Sequence, residues 1–230
     1  AETLRFLDAL RRRLLSSLAK KTTSWLPGEE TGHARVPTYI DFRPIRFIGT
    51  AVALVLAAEY DRARQLTGKP APVIDLHEWD PSVLGTLVQL GFFNTVGLSK
   101  FAEERQTVVD NDVMTLRFVS GSDAAQLAKA DEMLLELGKF IDPQHELPDN
   151  IAIPLNSALS EAMVNVKEHA YSSNHRFHFK HVGRWWLTGS ADRSNRSLSI
   201  VIYDQGATIP LTYDELPKHR VVIKFISDGL

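Results

Sequence analysis

The segment Ser157–Tyr171, reading SALSEAMVNVKEHAY, constrains this chain more than any other. Its apolar residues recur at helical spacing, and Leu155, Leu159, Ala162, Val166 and Ala170 can lie together against a sheet. Glu161, Asn165 and His169 follow one another at intervals of four, so a helix projects all three from one face, a turn apart. Polar groups aligned on an otherwise apolar helix are expensive to bury without partners. Either neighbours satisfy them or they line a pocket. The helix is expected to start near Pro154, which suits a first turn, and to end around Ala170.

The residues around this helix predict a sheet. Trp185–Thr188 and Ser197–Tyr203 alternate as two strands joined by the polar turn Ala191–Arg196, and Val113–Val119 is a third strand candidate. Ser122-Asp123 caps a helix from about Ala124 to Phe140, with Leu127, Met133, Leu134 and Leu137 on its buried face. The second informative feature is VIYDQGATIP, Val201–Pro210. An apolar strand runs into Asp204, and Gly206 two residues later permits close backbone approach. Asp-x-Gly after a strand is also a common turn, so this feature alone leaves both readings open.

The first half reads as a layered unit of helices and strands. Leu4, Leu7, Leu10, Leu14, Leu15 and Leu18 form one stripe of a helix whose other face, with Arg5, Arg11, Arg12, Lys20 and Lys21, reads as solvated. Residues 22–38, rich in Thr, Ser, Gly and Pro, read as a linker. Thr38–Phe42 is expected as a short strand, Ile48–Leu66 as a helix closed by Gly68 and Pro70, and Ala71–Leu76 as a buried strand. Asp80-Pro81-Ser82 starts a helix that stops at Gly91.

Composition excludes several classes. No cysteine means no disulfide, no thiolate zinc site and no cysteine nucleophile, which suits a reducing compartment. A net charge of −2 gives no global attraction to nucleic acid or anionic lipid. The N-terminal stretch lacks a signal-peptide pattern and no segment approaches a membrane span, so a cytoplasmic protein without a membrane partner is expected. There is no Gly-x-x-x-x-Gly-Lys-Ser/Thr phosphate loop. His145-Glu146-Leu147 mimics a histidine-kinase phosphoacceptor box, but it sits in a Pro-bounded turn too close to Glu161 for a separate dimerisation hairpin. His175, His178 and His181 fall in a polar segment without a carboxylate or cysteine partner for a metal.

Taken together and in this order, the two motifs resemble those of the GHKL superfamily of ATPases, which includes gyrase, MutL-type repair proteins, histidine kinases and the anti-sigma factor kinases. A helical Glu-x-x-x-Asn is matched by Glu161 and Asn165, and Asp-x-Gly-x-Gly-Ile-Pro by Asp204, Gly206, Ile209 and Pro210. FIDPQHELPDN followed by SEAMVNVKEHAY looks most like the anti-sigma factor kinases, and the resemblance covers about Val113–Pro210. It implies ATP and Mg²⁺ as cofactors, with Asn165 as metal ligand and Glu161 as the catalytic group that orients a water or an acceptor hydroxyl. It also implies Asp204 as the acceptor for the adenine amino group, with Gly206, Ile209 and Glu168 around the base and His169 in packing or capping. Thr208 stands where the second glycine is usual. The glycine-rich lid motif is not found after Pro210, with Arg220–Ile226 read as a displaced final strand, so this half is expected to be incomplete at its C-terminal end, with binding a firmer expectation than turnover.

Residues 37–98 resemble a STAS domain through the order strand, helix after FIG, strand VIDLHEWD, then a helix ending in LGFFNTVGL. The resemblance makes Ser82 and Thr50 candidates by position for a phosphorylated residue, and helix capping explains Ser82 equally well. The expected architecture is therefore α/β, of the α+β sandwich kind. An N-terminal helix and linker (1–36) and a STAS-like regulatory unit (37–111) precede a GHKL, or Bergerat-type, ATP-binding domain (112–230). Function is expected to be an ATP-dependent switch that hydrolyses ATP and acts on a protein partner; the alternatives are a protein serine/threonine kinase and a non-catalytic interaction module. Homodimerisation is carried over from the resemblance.

Overall fold

The computed structural model describes residues 9–14, 40–105, 112–122, 127–144, 146–171 and 176–207. The chain divides into two compact units, Ala1–Val109 and Asp110–Leu230. It is a mixed α and β protein whose one sheet, among the described residues, is antiparallel and belongs to the second unit.

Among its described residues the first unit's regular elements are all helices. Helix α1, Thr50–Thr67, ends at Gly68, whose positive φ of 71° lets its N–H reach the Arg64 carbonyl at 2.8 Å. Helix α2, Pro81–Leu90, opens with the Asp80 carboxylate accepting from the Ser82 N–H at 2.9 Å and stops at Gly91. Two short helices follow, α3 (Phe92–Thr95) and α4 (Ser99–Glu104). Their core is aromatic: Phe42 stacks on Trp79 at 4.1 Å, and Phe92 meets the Tyr60 ring edge-on at 5.0 Å. At the centre of α1, Glu59 is fully buried and accepts from Arg11 Nε at 2.9 Å and Arg62 Nε at 3.0 Å. Arg11 therefore turns inward from the helical residues 9–14, instead of lying on a solvated face.

Neither strand expected in this unit appears among the described residues, which leave out Thr38 and Tyr39. Residues 40–42 are not strand, and Ala71–Leu76 is irregular until a 3₁₀ turn at Leu76–Glu78. Pro70 and Pro72 cannot donate to a ladder. The Ile74 carbonyl accepts from Trp79 Nε1 at 3.0 Å, and Asp75 turns the chain with a φ of 55°. The strand–helix order that carries the STAS resemblance is thus not present among the described residues.

The second unit is a sheet covered on one face by helices. Strand β3, Trp185–Asp192, is central and pairs along its whole length with β4, Ser197–Asp204. Its other edge takes both β1, Val113–Thr115, and β2, Val119–Gly121. Thr115 faces Ser190 and Val119 faces Leu187, so four steps on one side match three on β3. The expected strand Val113–Val119 is therefore one strand interrupted by a bulge, which Thr188 Oγ1 pins by donating to the Leu116 carbonyl at 2.6 Å.

Helix α5, Leu127–Ile141, buries Ala130, Met133, Leu134 and Leu137, a stripe at helical spacing. It packs with Leu159, Met163, Val166 and Ala170 against Trp185, Leu187 and Ala191. Gly189 makes room for this contact, since a Cβ there would stand 2.6 Å from Leu137 Cδ1. Helix α6, Asp149–Asn165, begins earlier than Pro154 predicts, so the proline lies inside it rather than in the first turn. The ring removes one helical hydrogen bond, at an exposed turn. After Asn165 the helix widens into a π-helical turn, Val166–Ala170.

Candidate functional site

Helix α6 presents Glu161 and Asn165 one turn apart, and Asn165 Nδ2 donates to Glu161 Oε1 at 3.3 Å. Glu161 is exposed and Asn165 half-buried. With its nitrogen on the glutamate, the amide leaves its oxygen as the atom to offer a cation. His169 does not continue this line, because i→i+5 bonding in the π turn rotates it away from a straight i, i+4 stack. Its Nε2 lies 3.9 Å from Glu168 Oε2; Glu168 is exposed and His169 half-buried. A π turn in a helix is itself frequent at functional sites.

Asp204 ends β4 opposite Trp185. It continues the row Leu198, Ile200 and Ile202, which packs toward the helices, so the last position of an apolar row holds a carboxylate. Burial raises its pKa above the ordinary aspartate value, opposed by the Gly206 N–H that donates to Oδ1 at 2.8 Å. Among the described residues no donor meets its second oxygen.

Beyond Asp204 the chain docks on the end of α6. The Ala207 N–H donates to the Ala170 carbonyl at 2.6 Å. A side chain at Gly206 would collide with both the Cβ and the carbonyl of Ala170. The missing side chain of Gly206 thus admits the helix end. The same contact brings together two motifs far apart in sequence, because Ala170 lies five residues beyond Asn165.

One participant is missing from the residue reading. The Tyr171 hydroxyl donates to the Arg184 carbonyl at 2.5 Å and accepts from the Gln205 N–H at 2.8 Å. Burial, with the charge of Asp204 acting the same way, raises the phenol's pKa above its usual value. The tyrosine's place in KEHAY was visible in the sequence, but its long-range partners had no local signal.

Thr208, Ile209 and Pro210 lie outside the described residues, as do Asp123, His145, His175 and Arg220–Ile226. His181 stacks on Tyr171 at 4.7 Å and packs on Phe177 at 4.2 Å. Among the described residues no group of three metal-binding side chains forms. Nor is any helix there long and apolar enough to cross a membrane. In the first unit, Ser82 Oγ donates to the Arg46 carbonyl at 3.1 Å, and Thr50 is the first residue of α1. A cleft of about 580 Å³ between Leu147, Leu155 and Leu198 lies at the far ends of α6 and β4 and includes none of the site residues. No family model, curated protein or solved structure matches the chain.

Proposed function

We propose that the second unit is a nucleotide-binding domain of the GHKL type that takes ATP with Mg²⁺ between the end of α6 and the end of β4. The observation that carries this reading is the docking of the chain just after Asp204 on Ala170, in the same helical run that carries Glu161 and Asn165. Asp204 offers one oxygen to an amino group while Gly206 N–H fixes the other, an arrangement suited to the exocyclic amine of adenine. Asn165 oxygen, beside the Glu161 carboxylate, is a hard donor set that fits Mg²⁺. When bound, the ion would neutralise charge on the phosphates. Glu161, exposed and free of deep burial, is the group that would align a water or a protein hydroxyl for attack.

Calorimetric titration with ATP, with and without Mg²⁺, tests binding. Separate assays for free phosphate and for phosphoprotein then divide ATPase from kinase from binding module. Glu161→Ala should abolish turnover and leave affinity within a few-fold. If the folded protein takes up no ATP at millimolar concentration, the reading is wrong. A role as a switch acting on a protein partner follows from this site only if binding is found.

A further inference from the structure

We propose that Tyr171 is a positioning residue of this site, a hydroxyl wedge that sets where Asp204 stands. The inference rests on the nucleotide reading above. In the β3–β4 register Trp185 faces Asp204, so the next rung of the ladder would join Arg184 to Gln205. That rung is not closed directly. The Tyr171 hydroxyl sits in it, accepting from the Gln205 N–H and donating to the Arg184 carbonyl, and so satisfies both groups that the ladder would have paired. The strands are held apart one residue past Asp204. The freed chain then turns onto the helix, where Gly206 meets Ala170 and the Ala207 N–H bonds the Ala170 carbonyl.

The wedge is fixed from three sides. Its backbone continues the π turn that follows Asn165, so the same helix carries both the cation ligand and the wedge. Its ring is stacked on His181 and tilted against Phe177 at 6.1 Å. The far side of the rung is anchored through Arg184, whose Nε donates to Ser120 Oγ at 2.9 Å and whose Nη2 donates to the Ser120 carbonyl at 3.0 Å. A brace thus runs from β2 through Arg184 and Tyr171 to Gln205, next to the Asp204 carboxylate. A group held by several bonds keeps its geometry when the ligand arrives, which is what selectivity by one carboxylate oxygen requires.

Tyr171→Phe keeps the ring and removes only the wedge. We measure its amide hydrogen exchange, its melting, and its affinity for fluorescent ATP and GTP analogues with Mg²⁺, beside the unaltered protein. The expected result is faster exchange at Gln205 and Ala207 with unchanged exchange at Leu187. ATP affinity should fall about fivefold to tenfold once the hydroxyl's two hydrogen bonds are lost. The ratio of ATP to GTP affinity should fall with it, a change that a general loss of stability would not produce. Unchanged affinity and unchanged ratio in Tyr171→Phe, with ATP still bound by the unaltered protein, overturn the positioning role whatever the exchange does. No binding of ATP by the unaltered protein overturns the nucleotide reading itself.

Discussion

In the first unit the central helix buries Glu59, Asp61 and Arg62 along with its alanines and leucines, and the charges are matched inside the fold. In the second unit α5 buries one stripe, Ala130, Met133, Leu134 and Leu137, and keeps Asp131, Glu132, Glu136 and Lys139 in solvent. The difference governs what each sequence announces. Where a helix obeys its stripe, hydrophobic periodicity reports the core directly. Where carboxylates and guanidinium groups pair within the interior, the same charges imitate a surface, as Arg11 does before it meets Glu59.

Glu59→Ala tests this contrast most severely. It leaves Arg62 buried beside an empty space, and breaking such a pair costs about 3–5 kcal/mol. Urea denaturation should register that loss in the first unit; a change below about 1 kcal/mol would show that water reaches the arginine and that the unit is not built around its charges. Leu137→Ala should cost the second unit about 2–5 kcal/mol, through the cavity left between α5 and β3. Because Trp185 and Trp186 are both fully buried in that unit, their fluorescence follows its unfolding. Gly189→Ala is the converse test. The added methyl would press on Leu137 and on Ile200 Cδ1 at 2.8 Å, and overpacking of this kind costs about 1–3 kcal/mol.

The smallest effect expected is on pH dependence. Burial lowers the pKa of His181 from its usual 6.5, so the unfolded chain takes up a proton before the folded one. The resulting stability is present above the ordinary histidine value and is lost as pH falls through the range below it. Denaturation midpoints between about pH 8 and about pH 5 should decline for the unaltered protein and decline less for His181→Phe, which keeps a ring against Tyr171. Equal declines would assign the pH dependence to other groups.

Much of the second unit was legible because local and global signals agree there. The alternation in β3 and β4, the stripe of α5 and the Glu161–Asn165 spacing all follow from side-chain period. Its irregularities did not show. A bulge at residues 116–118 adds one residue without altering composition, and the π turn after Asn165 has the sequence of an ordinary helix. Pro154 misled because a proline marks a first turn only when no earlier residues can extend the helix, and Asp149–Ile153 do. In the first unit, Asp80-Pro81-Ser82 and Gly91 marked α2 because caps are local. The run VIDL after Pro72 read as a strand, yet a strand needs a neighbour, and sequence pattern does not supply one.

Asp204→Asn bears most directly on the nucleotide site. Because burial raises the Asp204 pKa, the charged carboxylate is disfavoured in the fold at neutral pH, and the neutral amide should leave the apo protein as stable or more so. Gly206 N–H already takes one oxygen, so the amide would turn its NH₂ toward an incoming adenine amine, donor against donor. Titration of the folded variant with ATP and Mg²⁺ should show affinity lower by on the order of 10- to 100-fold, with an undiminished melting temperature. Equal ATP affinity in Asp204→Asn and the unaltered protein would contradict the account.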